Sequence, residues 1–210
     1  MKVLLLNGSP KEDGCTFTAL SALEIMLKQE GLETEIYSIG AQAVHGCADC
    51  LSCLETGYCA YEDDCANEII YKIQEADGLI VGTPVYYAAA NSALTILLNR
   101  AFYAAGSTFA HKPAAAVASA RRAGTSTALD QINKYFAMSQ MPIVSSTYWN
   151  NIHGRRSGQI TPDQEGLQTL MNLAKNMAWM LRCIEAGKEK GIMPPQAITG
   201  ARTDFYKKNK

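Results

Sequence analysis

The chain alternates short apolar runs with stretches of helical periodicity. Residues 3–6 and 78–82 are almost continuously apolar, which predicts strands buried on both faces of a sheet. Residues 34–39 alternate polar and apolar side chains, which predicts a strand nearer the sheet edge. Two further strands are predicted over residues 112–119 and 142–146.

Apolar residues spaced by threes and fours predict a helix after each strand. These helices cover residues 17–30, 66–76, 91–105 and 125–138, and a last one begins at residue 162. Strands alternating with helices predict an α/β fold with helices on both faces of a parallel sheet. Five strands fit a flavodoxin-like three-layer fold with a five-stranded parallel sheet in the order 2-1-3-4-5.

Only one long segment inside this alternation lacks any helical or strand period. It covers residues 40–65 and holds five of the seven cysteines. We therefore expect a single flavodoxin-like domain over residues 1–187, carrying a cysteine-rich loop at 40–65. Residues 188–210 are rich in polar residues and proline, which predicts an extended C-terminal arm.

The bulk composition is that of an ordinary globular protein, with 48% hydrophobic residues, 19% charged residues and a formal net charge of −1. This balance predicts no nucleic-acid partner. The apolar run near the start ends at Asn7, too early for a signal peptide, and no stretch is apolar enough to predict a membrane partner. We expect a cytoplasmic protein whose cysteines are thiols available for metal or redox chemistry.

The loop after the first strand, residues 7–16, has the chemistry of a phosphate site. A helix amino terminus presents unpaired N–H groups and a positive dipole, to which Ser9, Lys11 and Thr16 add donors. The loop lacks the P-loop and dinucleotide glycine patterns, so a terminal monophosphate suits it better than a triphosphate or NAD. An ordinary strand-to-helix turn without a ligand is the alternative.

Two further loops follow predicted strands and belong to the same sheet edge. Residues 83–87 combine a rigid proline with two tyrosines, which suit a planar ring, although tyrosines also pack in cores. Residues 119–124 add hydroxyl, guanidinium and N–H donors. Together the three loops predict a site for flavin mononucleotide (FMN). The predicted cofactor-binding residues are Ser9, Lys11, Cys15, Thr16, Phe17, Pro84, Val85, Tyr86, Tyr87, Ser119, Arg121, Arg122 and Gly124.

These motifs resemble the NADPH-dependent FMN reductase family of flavodoxin-like proteins. The family's G-S-P-[RK]-x-x-G-[NS]-T loop is similar to residues 8–16, and its [ST]-P-x-Y segment to residues 83–86. The resemblance covers roughly residues 1–187 and implies FMN as cofactor and NAD(P)H as a co-substrate. Cys15 stands where the family usually has Asn or Ser, and Asn99 precedes Arg100 where Asp is common.

The spacing Cys47-x2-Cys50-x2-Cys53-x5-Cys59 places four thiols within thirteen residues. Two-residue spacings let successive thiolates surround one compact inorganic core, as in bacterial ferredoxins. The run also resembles that of the iron-sulfur flavoproteins, which implies a 4Fe-4S cluster. Free thiols without a cluster and a zinc site stay open as alternatives. Of the three other cysteines, Cys65 and Cys183 are interpreted as small buried hydrophobes.

The leading hypothesis is an FMN-dependent oxidoreductase that passes electrons to a small-molecule or protein acceptor. No side chain is assigned a catalytic role, because the flavin would carry the chemistry. A cluster-free NAD(P)H:quinone or FMN reductase and a flavodoxin-type electron carrier are the alternatives. The cysteine loop, the C-terminal arm and the aromatic segment 148–154 are candidate surfaces for a homodimer or homotetramer. For the segment 148–154, which includes His153, covering a flavin is the open alternative to a subunit contact.

Overall fold

A computed structural model describes residues 1–156, 159–201 and 203. The strands are β1 (Lys2–Asn7), β2 (Glu33–Ser38), β3 (Gly78–Tyr86), β4 (Ala89–Ala90), β5 (Ala114–Ala120) and β6 (Asn151–His153). The helices are α1 (Cys15–Gln29), α2 (Cys53–Thr56), α3 (Ala66–Glu75), α4 (Ser92–Ala105), α5 (Thr125–Met138) and α6 (Gln164–Glu189). A short 3-10 turn, Gly106–Phe109, follows α4.

Five parallel strands form the main sheet in the order β2-β1-β3-β5-β6. The two-residue strand β4 folds back antiparallel onto the end of β3 and lies off this path. Leaving β4 aside, the order is the predicted 2-1-3-4-5, so the flavodoxin-like α/β prediction is confirmed.

The sheet separates two apolar layers, which explains why β1 is apolar from Val3 to Leu6. Val3 and Leu5 pack with α1 and α6 on one face, whereas Leu4 and Leu6 pack with α3, α4 and α5 on the other. All four side chains are fully buried. Because successive strand residues point to opposite faces, a strand covered on both sides needs no polar position.

The fifth strand lies later in the chain than the sequence pattern predicts. Residues 142–146 touch the start of β5 only through an isolated bridge between Ala114 and Ile143. The strand that completes the sheet is β6, which pairs with the end of β5. Pro142 has no N–H to donate, and it accepts a single bond from the Ala114 nitrogen at 2.9 Å. The prediction of a strand at 142–146 is therefore wrong.

Helix α6 continues to Glu189, two residues beyond the expected end of the domain. Residues 192–201 and 203 are exposed and have neither helix nor strand, while residues 202 and 204–210, with the basic end of the chain, lie outside those described. Among the described residues no helix combines the length and the apolar character needed to cross a bilayer. The division into a domain and an arm stays a prediction.

Candidate functional site

A cleft of about 430 Å³ opens at the carboxyl edge of the sheet, where the loops after β1, β3, β5 and β6 meet. Ligands of open α/β sheets bind at this edge. The structure brings nine of the thirteen predicted residues to its wall: Ser9, Lys11, Cys15, Thr16, Pro84, Val85, Tyr86, Ser119 and Arg121.

The other four predicted residues lie near the cleft but do not line it. Phe17 is half-buried in the first turn of α1. Tyr87 is fully exposed at the tip of the turn between β3 and β4. Arg122 and Gly124 belong to the loop after β5, where the Arg122 carbonyl oxygen lies 3.1 Å from Nε2 of His153.

Hydrogen bonds within the loop after β1 fix its shape. The Ser9 nitrogen donates to Oδ1 of Asn7 at 3.1 Å, and the Lys11 nitrogen donates to Oγ of Ser9 at 3.1 Å. The Gly8 nitrogen donates to the carbonyl of Gly82 at 2.8 Å, which joins the loop to β3. Within the described part of the chain no side chain caps α1 at Gly14, so its first-turn N–H groups remain available to an anion.

Two buried hydroxyl groups join α1 to β5 at the cleft. Oγ1 of Thr16 and Oγ of Ser119 lie 2.8 Å apart, and either can donate. Both side chains are almost fully buried. The hydroxyl that accepts from its neighbour keeps its own proton, so the pair can offer one O–H donor to an anionic ligand.

The hairpin formed by β3 and β4 makes one wall of the cleft. Its two turn residues, Tyr87 and Ala88, have positive φ angles of 52° and 60°, as the common two-residue hairpin turn requires. Gly124 has a φ of +91°, and a Cβ there would lie 2.9 Å from Cα of Ala88. Only glycine therefore lets the loop after β5 approach the hairpin this closely.

The loop after β6 contributes three cleft residues that are absent from the predicted cofactor-binding set: Gly154, Arg155 and Arg156. Gly154 ends the aromatic segment 148–154, whereas Arg155 and Arg156 lie beyond every segment that the sequence pattern assigned to a strand end. The Cys15 thiol donates to the Arg156 carbonyl at 3.0 Å, which ties this loop to α1. Burial raises the pKa of Cys15, which favours the protonated thiol that this bond needs.

The charge of the cleft lining is positive, whereas the net charge of the chain is slightly negative. Lys11, Arg121, Arg155 and Arg156 line it against one carboxylate, Asp13, although the chain has a net charge of −1. Such a concentration of cations around an uncapped helix terminus favours an anionic ligand.

The four cysteines of the predicted cluster motif line one small cavity of about 20 Å³, apart from the cleft. Asp49 and Leu51 on either side of Cys50 have positive φ angles of 53° and 63°, which turn the chain back on itself. Short helix α2 begins at Cys53, and Gly57 ends it in the left-handed conformation. The pKa of Cys53 is raised first by burial and then by the three neighbouring thiols. Among the described residues, no set of three or more His, Cys, Asp or Glu has the arrangement of a metal site.

Arg100 of α4 binds the cysteine loop through several polar contacts. Its buried guanidinium pairs with the buried carboxylate of Asp64, and its nitrogens also donate to the carbonyls of His45 at 3.1 Å and Tyr61 at 3.0 Å. Nε donates to Sγ of Cys59 at 3.1 Å. Burial opposes charge on both partners, but their hydrogen bond raises the pKa of Arg100 and lowers that of Asp64.

The remaining singled-out residues have structural contacts. The His153 nitrogen donates to Oδ2 of Asp163 at 2.6 Å, and Oδ1 of the same carboxylate accepts from the Gly166 nitrogen and caps α6. Cys65 is buried, as expected, but Cys183 is exposed on α6, so its interpretation as a buried residue is wrong.

With this geometry established, the family follows from sequence comparison. The model of the NADPH-dependent FMN reductase family matches residues 1–154. The chain belongs to that family. An iron-sulfur flavoprotein of Methanocaldococcus jannaschii is 32% identical over 193 residues, covering 88% of this chain and 100% of the relative. An iron-sulfur flavoprotein of Methanosarcina thermophila is 28% identical, covering 90% and 100%. The resemblance to both groups is thereby confirmed.

Solved structures agree with this family assignment at the level of the fold. RosB with a bound 8-demethyl-8-formylriboflavin-5'-phosphate has a TM-score of 0.67 at 15% identity, covering 98% of this chain and 92% of RosB. A flavodoxin from the domain Archaea has a TM-score of 0.59 at 15% identity, covering 87% and 99%. At these identities the likeness is one of fold alone.

Proposed function

We propose that this protein is an FMN-dependent oxidoreductase whose flavin occupies the cleft at the carboxyl edge of the sheet. One observation carries the proposal: the uncapped amino terminus of α1 and the β3 hairpin face the same cationic cleft. The first suits a terminal phosphate and the second a planar ring. Membership of the FMN reductase family supports the same ligand.

The residues around the cleft suggest how each part of FMN would be held. Ser9, Thr16 and the first-turn N–H groups of α1 would bind the phosphate, with Lys11 balancing its charge. Val85 and Tyr86 would contact the ring from the hairpin, and Arg121 would close the opposite rim. Flavin can take up electrons in pairs and release them singly, so the protein's contribution is positioning and exclusion of water.

We assign no side chain as a general acid or base. Of the residues that the structure describes at the cleft wall, Asp13 is the one carboxylate. His153 contacts Asp163 and the Arg122 carbonyl beside the cleft. The cationic rim also suits a phosphate-bearing donor, and we propose NAD(P)H as that co-substrate. A small molecule or a protein would take up the electrons. The exposed Tyr148 and Trp149 offer a surface for a homodimer or homotetramer.

We further propose that the cysteine loop binds a 4Fe-4S cluster through Cys47, Cys50, Cys53 and Cys59. Their position around one cavity and the names of the relatives support this assignment. Four thiolates are the ligand set that such a cluster needs. The thiols must draw together on binding, since in the described chain no three of them have the arrangement of a metal site.

A cluster-free NAD(P)H:quinone or FMN reductase is the second candidate. It is favoured because no three thiols among the described residues have the arrangement of a metal site. A flavodoxin-type electron carrier is the third. Carriers of this type are usually strongly acidic for steering towards partners, and the net charge of −1 gives this chain little such steering.

Anaerobic purification separates these candidates. We expect about one FMN per chain, about four iron atoms with matching acid-labile sulfide, and flavin reduction by NADPH or NADH. FMN without iron after reconstitution would establish the cluster-free protein. Flavin that neither nucleotide reduces would favour the carrier, and a protein that retains no flavin would refute the whole proposal.

A further inference from the structure

Cys59 is the most firmly held of the four proposed cluster ligands. Oδ1 of Asn67 accepts from its nitrogen at 2.8 Å, and Nδ2 of Asn67 donates to its carbonyl at 2.9 Å. Its sulfur accepts from Nε of Arg100 at 3.1 Å. Cys47 and Cys50, in contrast, are exposed. The backbone of Cys59 thus depends on α3 and its sulfur on α4.

Arg100 is chemically unusual among the residues of α4. Its side chain is 1% exposed, as expected for a core leucine, yet it carries a full positive charge. Among the described residues, the polar partners of its guanidinium all belong to residues 45–64 and none belongs to α4 itself. The ring of Tyr61 lies 5.4 Å from the guanidinium carbon and covers it. These contacts direct the buried cation at the cysteine loop.

Simple attachment of the loop does not require a donor to sulfur. The Asp64 pair and the two carbonyl bonds already fix the loop to α4. The bond to Sγ of Cys59 adds a positive donor to one ligand atom. Hydrogen bonds to ligand sulfurs and nearby charge both set the potential of an iron-sulfur centre.

We propose that Arg100 is a positioning and tuning residue that sets the reduction potential of a cluster bound at Cys59, with Asp64 moderating its charge. This inference rests on the proposed cluster. A cluster becomes more negative when it gains an electron, so the guanidinium favours the reduced form. The Asp64 carboxylate, paired with that guanidinium, weakens the effect.

The two partners should therefore shift the potential in opposite directions. At the wild-type midpoint potential, we expect Arg100→Met to lower the reduced-to-oxidised ratio about tenfold, equivalent to about 59 mV for a one-electron couple. Asp64→Asn should raise the ratio, because the buried cation loses its counter-charge. An anaerobic redox titration followed by electron paramagnetic resonance measures both variants.

Asn67→Ala is the matched control. It releases the backbone of the same cysteine but leaves the charge and the donor to sulfur in place. We expect the reduced-to-oxidised ratio of Asn67→Ala to stay within about twofold of the wild-type ratio. If Arg100→Met does not retain iron, Arg100→Lys replaces it in the titration. This variant keeps the positive charge but lacks the Nε that donates to Sγ of Cys59. Its reduced-to-oxidised ratio should therefore still fall.

The outcomes distinguish this inference from the function on which it rests. A wild type that holds no iron would overturn the proposed cluster and the tuning together. A wild type with a cluster, but unchanged potentials in the Arg100 variants, would overturn the tuning alone. Equal shifts in Arg100→Met and Asn67→Ala would do so as well, because they would show a purely structural effect.

Discussion

The cleft and the cysteine loop are held in position by different means. The cleft is built where four parallel strands end, so the register of the sheet places its walls. The cysteine loop follows β2 and has no regular structure beyond the four residues of α2. Its position depends on a few polar side chains, chiefly Arg100 and Asp64.

This difference teaches how each region should respond to change. Backbone hydrogen bonds and apolar layers shared by the whole domain support the cleft, so removal of one side chain should alter ligand affinity and leave the fold intact. The loop concentrates its support in a buried ion pair, where loss of one partner leaves an unpaired charge. The cleft and the cysteine cavity share no lining residue, so they should be separable by mutation.

The largest effect is expected from Cys50→Ala. A 4Fe-4S cluster that loses one of four thiolates should be labile or absent, whereas FMN should stay because the residues proposed to bind it line the separate cleft. Iron and acid-labile sulfide per FMN measure this after anaerobic preparation. Cys65→Ala and Cys183→Ala lie outside the cavity and serve as controls with unchanged iron. Iron retained at the wild-type ratio in Cys50→Ala would contradict the ligand assignment.

The second-largest effect is expected at the cleft, on removal of two hydroxyl groups proposed to bind the phosphate. Ser9→Ala with Thr16→Ala should remove two hydrogen bonds to a charged phosphate, each contributing about 1.5–3 kcal/mol. FMN affinity should then fall on the order of 10²–10⁴-fold while iron content is unchanged. Equilibrium titration of the flavin-free protein measures it. Thr18→Ala is the control, because Thr18 lies two residues beyond Thr16 and its hydroxyl donates to the Gly14 carbonyl. This variant should bind FMN like the wild type, and equal losses in both would argue against phosphate binding here.

Gly124→Ala tests whether the hairpin wall needs its glycine. A residue with a side chain at positive φ costs about 1–2 kcal/mol, and here the new Cβ would also meet Ala88 and Val85. We expect lower stability in urea unfolding together with weaker FMN binding. Gly31→Ala has a similar φ of +80° but open space around it, so it should lose stability alone. Unchanged FMN affinity in Gly124→Ala would separate the hairpin from the ligand.

The smallest effect distinguishes two adjacent arginines. Arg121 lines the cleft and Arg122 does not, although both are exposed. Arg121→Ala should weaken FMN binding about twofold to fivefold at low salt, as expected for one exposed ionic contact. The difference should shrink as salt rises. Arg122→Ala should bind FMN like the wild type. If Arg122→Ala weakened FMN binding more than Arg121→Ala, the flavin would have to bind at a different position.

Much of the fold and part of the site were accessible from local sequence patterns. Periodicity identified four of the five main-sheet strands, because central parallel strands are apolar runs and the edge strand β2 alternates polar and apolar residues. It placed the fifth at 142–146 because that segment is also apolar, although only pairing with β5 decides which segment enters the sheet. The error hid Arg155 and Arg156, whose membership of the cleft depends on where β6 ends.

By itself, the sequence determined the alternation of four main-sheet strands with helices, the helical layers on both faces of the sheet, the loop chemistry at strand ends and the spacing of the four cysteines. These properties are local, since periodicity, turn residues and ligand spacing act within a few residues of one another. The tertiary structure alone decided that Gly124 lies beneath the hairpin and that Arg100 reaches Cys59. These contacts join residues 36 and 41 positions apart, and their closeness results from the packing of helices on the sheet rather than from any pattern along the chain.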